Sequence, residues 1–121
     1  MMSKDTVVIG ASANEDRYSY KATVSLKNHG YKVYPLGIKA GIIEGLDIIT
    51  EKPFLQNVDT VTMYVGPQNQ DSWKEYIFSL KPKRIIFNPG TENKILEAEA
   101  RAKGIEPVEA CTLVMLSIGN Y

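Results

Sequence analysis

Residues 6–14 read Thr6-Val7-Val8-Ile9-Gly10-Ala11-Ser12-Ala13-Asn14, and this stretch decides the fold. A run of β-branched residues with no polar alternation suits a short strand buried on both faces. A turn of small residues follows it. The spacing then predicts a helix over 18–29, with Tyr20 and Val24, and Ala22 and Leu26, four residues apart on neighbouring stripes. Gly30 is the expected stop, and Lys27 and His29 in the last turn suit the helix dipole.

The same alternation continues outward. Residues 31–36 form the second strand candidate. Residues 37–45 are glycine-rich and read as loop with some short helix. Residues 47–55 are ambiguous: Ile48-Ile49-Thr50 suits a brief strand, and Pro53 limits any helix. Residues 60–65 are the third strand. Trp73, Tyr76, Ile77 and Leu80 recur at i, i+3, i+4 and i+7, which predicts an amphipathic helix with a core-facing stripe. Residues 84–87 are the fourth strand, followed by the turn Asn88-Pro89-Gly90. Thr91 is the expected cap of a helix carrying Ile95, Leu96, Ala98 and Ala102, closed by Gly104. A fifth strand is expected over 105–108 and a last short helix over 111–118. Strands alternating with helices give an α/β chain, a doubly wound parallel sheet of about five strands in three layers, Rossmann-like.

The chain has 121 residues, 44% of them hydrophobic and 23% charged. That suits one globular domain over 1–121 and excludes disordered, collagenous and coiled-coil classes. Its 14 basic residues balance its 14 acidic ones, so no global field draws in nucleic acid or an anionic membrane. The single cysteine, Cys111, and the single histidine, His29, exclude an internal disulfide, a structural zinc site and a His-rich metal centre. With no leader-like segment and no spanning apolar run, the expected compartment is the cytoplasm.

In such a sheet, ligands bind at the carboxyl ends of the strands where strand order reverses. The first strand-to-helix turn is the usual phosphate cradle, because its N–H groups and the helix N-terminus favour an anion. Here that turn is Gly10 to Asn14, with a hydroxyl at Ser12 and with Ser19 and Tyr20 nearby. The alternative is that small residues only make the turn tight. The dinucleotide fingerprint G-x-G-x-x-G is incomplete: Ser12 and Glu15 stand where its later glycines belong. No acidic residue ends the second strand to hold an NAD ribose. The nearest charge is Lys39, which attracts a phosphate or is simply a solvated lysine. Among nucleotides, NADP and coenzyme A carry the extra ribose phosphate such a cation would favour.

A buried strand followed by Gly10-Ala11-Ser12, a helix opening with Ser19-Tyr20, and then His29-Gly30-Tyr31-Lys32-Val33-Tyr34-Pro35-Leu36 resembles the coenzyme A-binding domain family. These are small stand-alone proteins akin to the CoA-binding domain of succinyl-CoA synthetase. The likeness runs on through Asn88-Pro89-Gly90-Thr91-Glu92 to Glu109-Ala110-Cys111. It implies a CoA or acyl-CoA site in which Gly10, Ala11 and Ser12 meet the phosphates and Lys39 sits near the nucleotide's phosphate or ribose. Val65, Gly66 and Pro67 would line the adenosine side, and Asn88, Pro89 and Gly90 would border the pantetheine arm. Many relatives follow the second strand with an Asn-Pro pair, where this chain has Pro35-Leu36-Gly37. The synthetase transfers phosphoryl groups through a histidine in another domain, so the resemblance carries CoA binding and not catalysis.

The remaining candidates are weaker. Cys111 precedes a helix and could be activated there, although free cysteines are mostly buried small apolar residues. His29 reads as a helix-terminal residue, and Lys81-Pro82-Lys83-Arg84 as a solvated loop away from the site. Asp16-Arg17 and Glu92 are ligand contacts, lid residues or plain surface. The expected function is non-catalytic binding of CoA or an acyl-CoA. The alternatives are an enzyme using NADP or an acyl-CoA, and a regulatory interaction domain with a vestigial nucleotide pocket. Homo-oligomerisation and a separate protein partner both stay open.

Overall fold

The computed structural model describes residues 4–121. Five strands, β1 (Thr6–Ile9), β2 (Val33–Leu36), β5 (Thr60–Met63), β6 (Arg84–Phe87) and β7 (Glu106–Glu109), form one parallel sheet in the order β2-β1-β5-β6-β7. β1 lies between β2 and β5, with Ile9 beside Leu36 on one side and beside Met63 on the other. The chain therefore leaves β1 toward one edge and later returns to build toward the other. The reversal of strand order falls between β1 and β5.

Alternate side chains along each strand enter two separate cores. Val7, Ile9, Val61, Met63, Ile85 and Phe87 pack with Trp73, Ile77 and Leu80 of α2 (Asp71–Leu80) and with Leu96 and Ala100 of α3 (Lys94–Ala102). Val8, Val33 and Ile86 pack on the opposite face with Leu26 of α1 (Tyr18–Asn28) and with Met115 and Leu116 of α4 (Thr112–Ile118). The result is three layers, with every residue of β1 and β5 buried. This explains why these strands read as continuous β-branched runs rather than alternating ones.

Both sheet edges carry proline. On β2 the outer edge is met by Ile49, whose N–H donates to Pro35 O at 2.8 Å while its carbonyl accepts Gly37 N–H at 3.0 Å. On β7, the N–H groups of Glu106 and Ala110 turn toward the β6 side. Pro107 therefore faces outward and removes one donor from the free edge, a known brake on edge pairing.

The glycine-rich stretch differs from expectation. Residues 37–45 contain no helix. Instead β3 (Ile42–Ile43) and β4 (Leu46–Asp47) make a small antiparallel ladder, turned by Glu44 and Gly45 at φ 48° and 84°. Ile48-Ile49-Thr50 supplies a single parallel bridge from Ile49 to Leu36 rather than a strand. Thr91 does not cap α3. The cap is Asn93, whose side chain accepts Leu96 N–H at 3.1 Å; Thr91 lies two residues before it, in the preceding turn, where its hydroxyl donates to Asn88 O. The fifth strand starts one residue later than expected, at Glu106.

Candidate site at the carboxyl ends of the strands

A cleft of about 620 Å³ lies over the junction of β1 and β5. Five segments line it: the turn after β1, residues 17–19 at the start of α1, residues 38–40 after β2, Tyr64 and Gly66 after β5, and residues 89–91 after β6.

The turn after β1 is built around close backbone approaches. Gly10 sits at φ +94°, and a Cβ there would lie 3.0 Å from Val65 Cγ2 and 3.1 Å from the Tyr64 carbonyl carbon. Leu36 O accepts both Gly10 N–H at 2.9 Å and Ala11 N–H at 2.8 Å. The loop after β2 is pressed onto this turn: a Cβ on Gly37 would stand 2.4 Å from Ala11 O, and one on Gly41 2.7 Å from Ala13 Cβ. The chain continues through Ser12 Oγ, which accepts Asn14 N–H at 3.1 Å, and Asn14 Oδ1, which accepts Asp16 N–H at 2.9 Å.

This arrangement separates the donors already used from those available. The N–H groups of Gly10 and Ala11 are held by Leu36 O. Those of Ser12 and Ala13 have no hydrogen-bond partner among the described residues. The first intrahelical bond of α1 runs from Lys21 N–H to Arg17 O, so the N–H groups of Tyr18, Ser19 and Tyr20 have no helical acceptor. No side chain caps this end, and the N-cap residue is Arg17. A cation at this terminus opposes the helix dipole, and an anion there would relieve both. Among the described residues, Arg17 and Lys39 are the charged side chains that line the cleft. Two cations thus line the cleft of a chain whose formal charge is zero, and the Glu92 carboxylate stands beside it, with Oε1 accepting Gly90 N–H at 2.9 Å.

The floor is tied together by two buried amides. Asn88 donates to Thr62 Oγ1 at 2.7 Å and to Met63 O at 2.8 Å, and accepts Thr112 N–H at 2.9 Å. Gln70 donates to Val65 O at 2.9 Å and to Thr91 O at 2.8 Å, and accepts from Asn93 Nδ2 at 2.9 Å. Tyr64 borders the cleft, and its buried hydroxyl makes no hydrogen bond although the Thr62, Thr112 and Cys111 side chains are its neighbours. Burial pushes its ionisation well above the ordinary tyrosine range, and proximity to Cys111 adds to this.

Of the residues singled out from sequence, Gly10, Ala11, Ser12, Ser19, Lys39, Gly66, Pro89 and Gly90 lie on the cleft wall. Four do not. Tyr20 is half-buried against the α1–α4 core and lines a separate groove beside α1. Val65 packs into the α2–α3 core. Pro67 is exposed and opens a 3-10 turn (Pro67–Asn69). Asn88 is buried, with its side chain spent on the floor. Cys111 and His29 lie outside the lining: Cys111 is half-buried at the N-cap of α4 and His29 is at the far end of α1. Tyr18, Ile38, Tyr64 and Thr91 join the wall without having been read as site residues. The signal for Tyr18 and Ile38 is adjacency: each is a large apolar residue next to a cation, and they are 69% and 92% exposed.

The family described as the CoA binding domain matches residues 4–117. No curated protein matches the chain. A crystal structure of an uncharacterized protein is 52% identical, covers 100% of both chains and superposes with a TM-score of 0.97. A hypothetical protein from Pyrococcus horikoshii OT3 is 22% identical, with 96% of this chain and 83% of that one covered at a TM-score of 0.83. A conserved hypothetical protein from Pyrococcus furiosus is 23% identical, with 92% and 97% covered at a TM-score of 0.80. The last two likenesses concern the fold. Among the described residues, no helix is long and apolar enough to cross a membrane.

Proposed function

The chain belongs to the CoA binding domain family, and from that premise we propose that it binds coenzyme A or an acyl-CoA in the cleft between β1 and β5, without catalysing a reaction on it. The observation that carries this reading is the pairing, among the described residues, of unpartnered N–H groups at Ser12, Ala13 and the start of α1 with the two cations on the wall. A pyrophosphate satisfies those donors, and Lys39 offers a counter-charge to a phosphate on the ribose. The wall at Gly66 suits the adenosine side, and Pro89, Gly90 and Thr91 border the thinner arm. Binding rather than reaction is favoured because, among the described residues, no pair of acid and base side chains lines the cleft.

Thermal unfolding with CoA, NADP, NAD and ADP at matched ionic strength tests this. A ligand at 100 times its dissociation constant stabilises by about 2.7 kcal/mol, a midpoint shift on the order of 10 °C for a domain of this size. We expect that shift with CoA. A comparable shift with NADP alone would replace CoA by a dinucleotide, and no shift with any of them would refute the reading.

A further inference from the structure

We infer that Gln70 is a positioning residue, a buried clamp that fixes the spacing between the two cleft walls without touching the ligand. Its residue is 1% exposed, yet it carries a full amide. Each hydrogen-bonding direction it uses ends on a different segment. One Nε2 hydrogen goes to Val65 O, immediately before Gly66, and the other to Thr91 O, immediately after Gly90. The amide oxygen accepts from Asn93 Nδ2. Asn93 is itself pinned to α3, through its Oδ1 to Leu96 N–H at 3.1 Å and through its own N–H to Glu97 Oε2 at 3.1 Å. One side chain thus joins the loop after β5, the loop after β6 and the start of α3.

The chemistry demands an amide. Two carbonyl oxygens face the same nitrogen, so the residue must donate twice and accept once. A carboxylate of the same shape would set its charge against two carbonyls, and an apolar side chain of the same length would leave both carbonyls unsatisfied in a buried place. Gly66 and Thr91 both line the cleft, so the clamp sets the distance between the segments assigned above to the adenosine side and the arm. This rests on the CoA reading for its ligand but not for its geometry.

The test uses Gln70→Glu and Gln70→Met, with Gln70→Met guarding against failure of the charged variant to fold. Hydrogen exchange on the ligand-free proteins is the first readout. Faster exchange confined to residues 65–70 and 88–93 is expected; unchanged exchange, or a uniform increase across the sheet, would overturn the clamp. Calorimetric titration with CoA and with ADP is the second. CoA spans both walls and should lose about tenfold in affinity, the loss expected for one or two buried hydrogen bonds, whereas ADP should change less than about threefold. Equal losses for both ligands would also overturn the proposal. Failure of the wild-type protein to bind CoA would instead remove the proposed ligand, and hydrogen exchange alone would then decide the clamp.

Discussion

Lys39 and Arg17 reach the cleft from opposite sides of the β1 turn, one from the loop after β2 and one from the cap of α1. Lys39 is exposed, so its pairing with a phosphate is screened and modest. Lys39→Ala should weaken CoA by about three- to tenfold and dephospho-CoA by clearly less, since only CoA carries the ribose phosphate. Titration calorimetry at fixed salt checks this, and equal losses would place Lys39 elsewhere along the ligand. Lys39 was legible in the sequence because it is the first charge after the second strand. Arg17 was ambiguous because Glu15 and Asp16 precede it and disguise the local sign. Tyr20 was misplaced for a geometric reason. The α1 helix turns about 100° per residue, so Tyr20 is carried past the cleft to the flank of α1, where it and Val24 pack against the α1–α4 core. Sequence supplies the helix but not its rotation about its own axis.

The elements that were legible are those that bury a continuous stripe. β1 and β5 are buried throughout and announce themselves as runs rich in β-branched residues, β6 by its buried Ile85-Ile86-Phe87, and α2 by its stripe of Trp73, Ile77 and Leu80, all buried. The segment over 37–47 was not legible. Its ladder is only two residues long on each side, and its turn uses Glu44-Gly45 at positive φ, where the usual hairpin signal is Asn-Gly or Asp-Gly. Gly45 serves the positive φ of that turn, whereas Gly37 and Gly41 serve close contact. Gly37 has no positive φ, but a Cβ on it would meet Ala11 O at 2.4 Å, a backbone atom that cannot swing away. Gly37→Ala should therefore push the loop after β2 off the β1 turn. Overpacking of this kind costs about 1–3 kcal/mol. A lower unfolding midpoint with weaker CoA binding is expected, and an unchanged midpoint would show that the two segments separate freely.

Across the whole molecule, the groups with raised ionisation on the alkaline side include four tyrosines shifted chiefly by burial: Tyr20, Tyr64, Tyr76 and Tyr121. A raised value in the folded state means that unfolding releases protons once pH exceeds the unfolded tyrosine value of about 10. The stability these groups contribute is fully present below that pH and is lost as pH rises through the higher folded values. Lys32 and Lys94 are raised through hydrogen bonds to Tyr34 and Glu109 and act in the same direction, but both are exposed and screened. The fold should accordingly lose stability steeply above about pH 10. Tyr64 is the informative position, because its buried hydroxyl has no hydrogen bond to lose. Tyr64→Phe should keep or raise the unfolding midpoint at neutral pH, since removing an unsatisfied polar atom relieves a desolvation cost. The same substitution should make the alkaline loss shallower, as one of the groups driving it no longer titrates. Urea unfolding followed across the alkaline range, with tyrosinate absorbance recorded alongside, separates the two effects. A lower midpoint at neutral pH would show that the hydroxyl holds a partner in solution, and an unchanged alkaline slope would show that Tyr64 ionises as readily folded as unfolded.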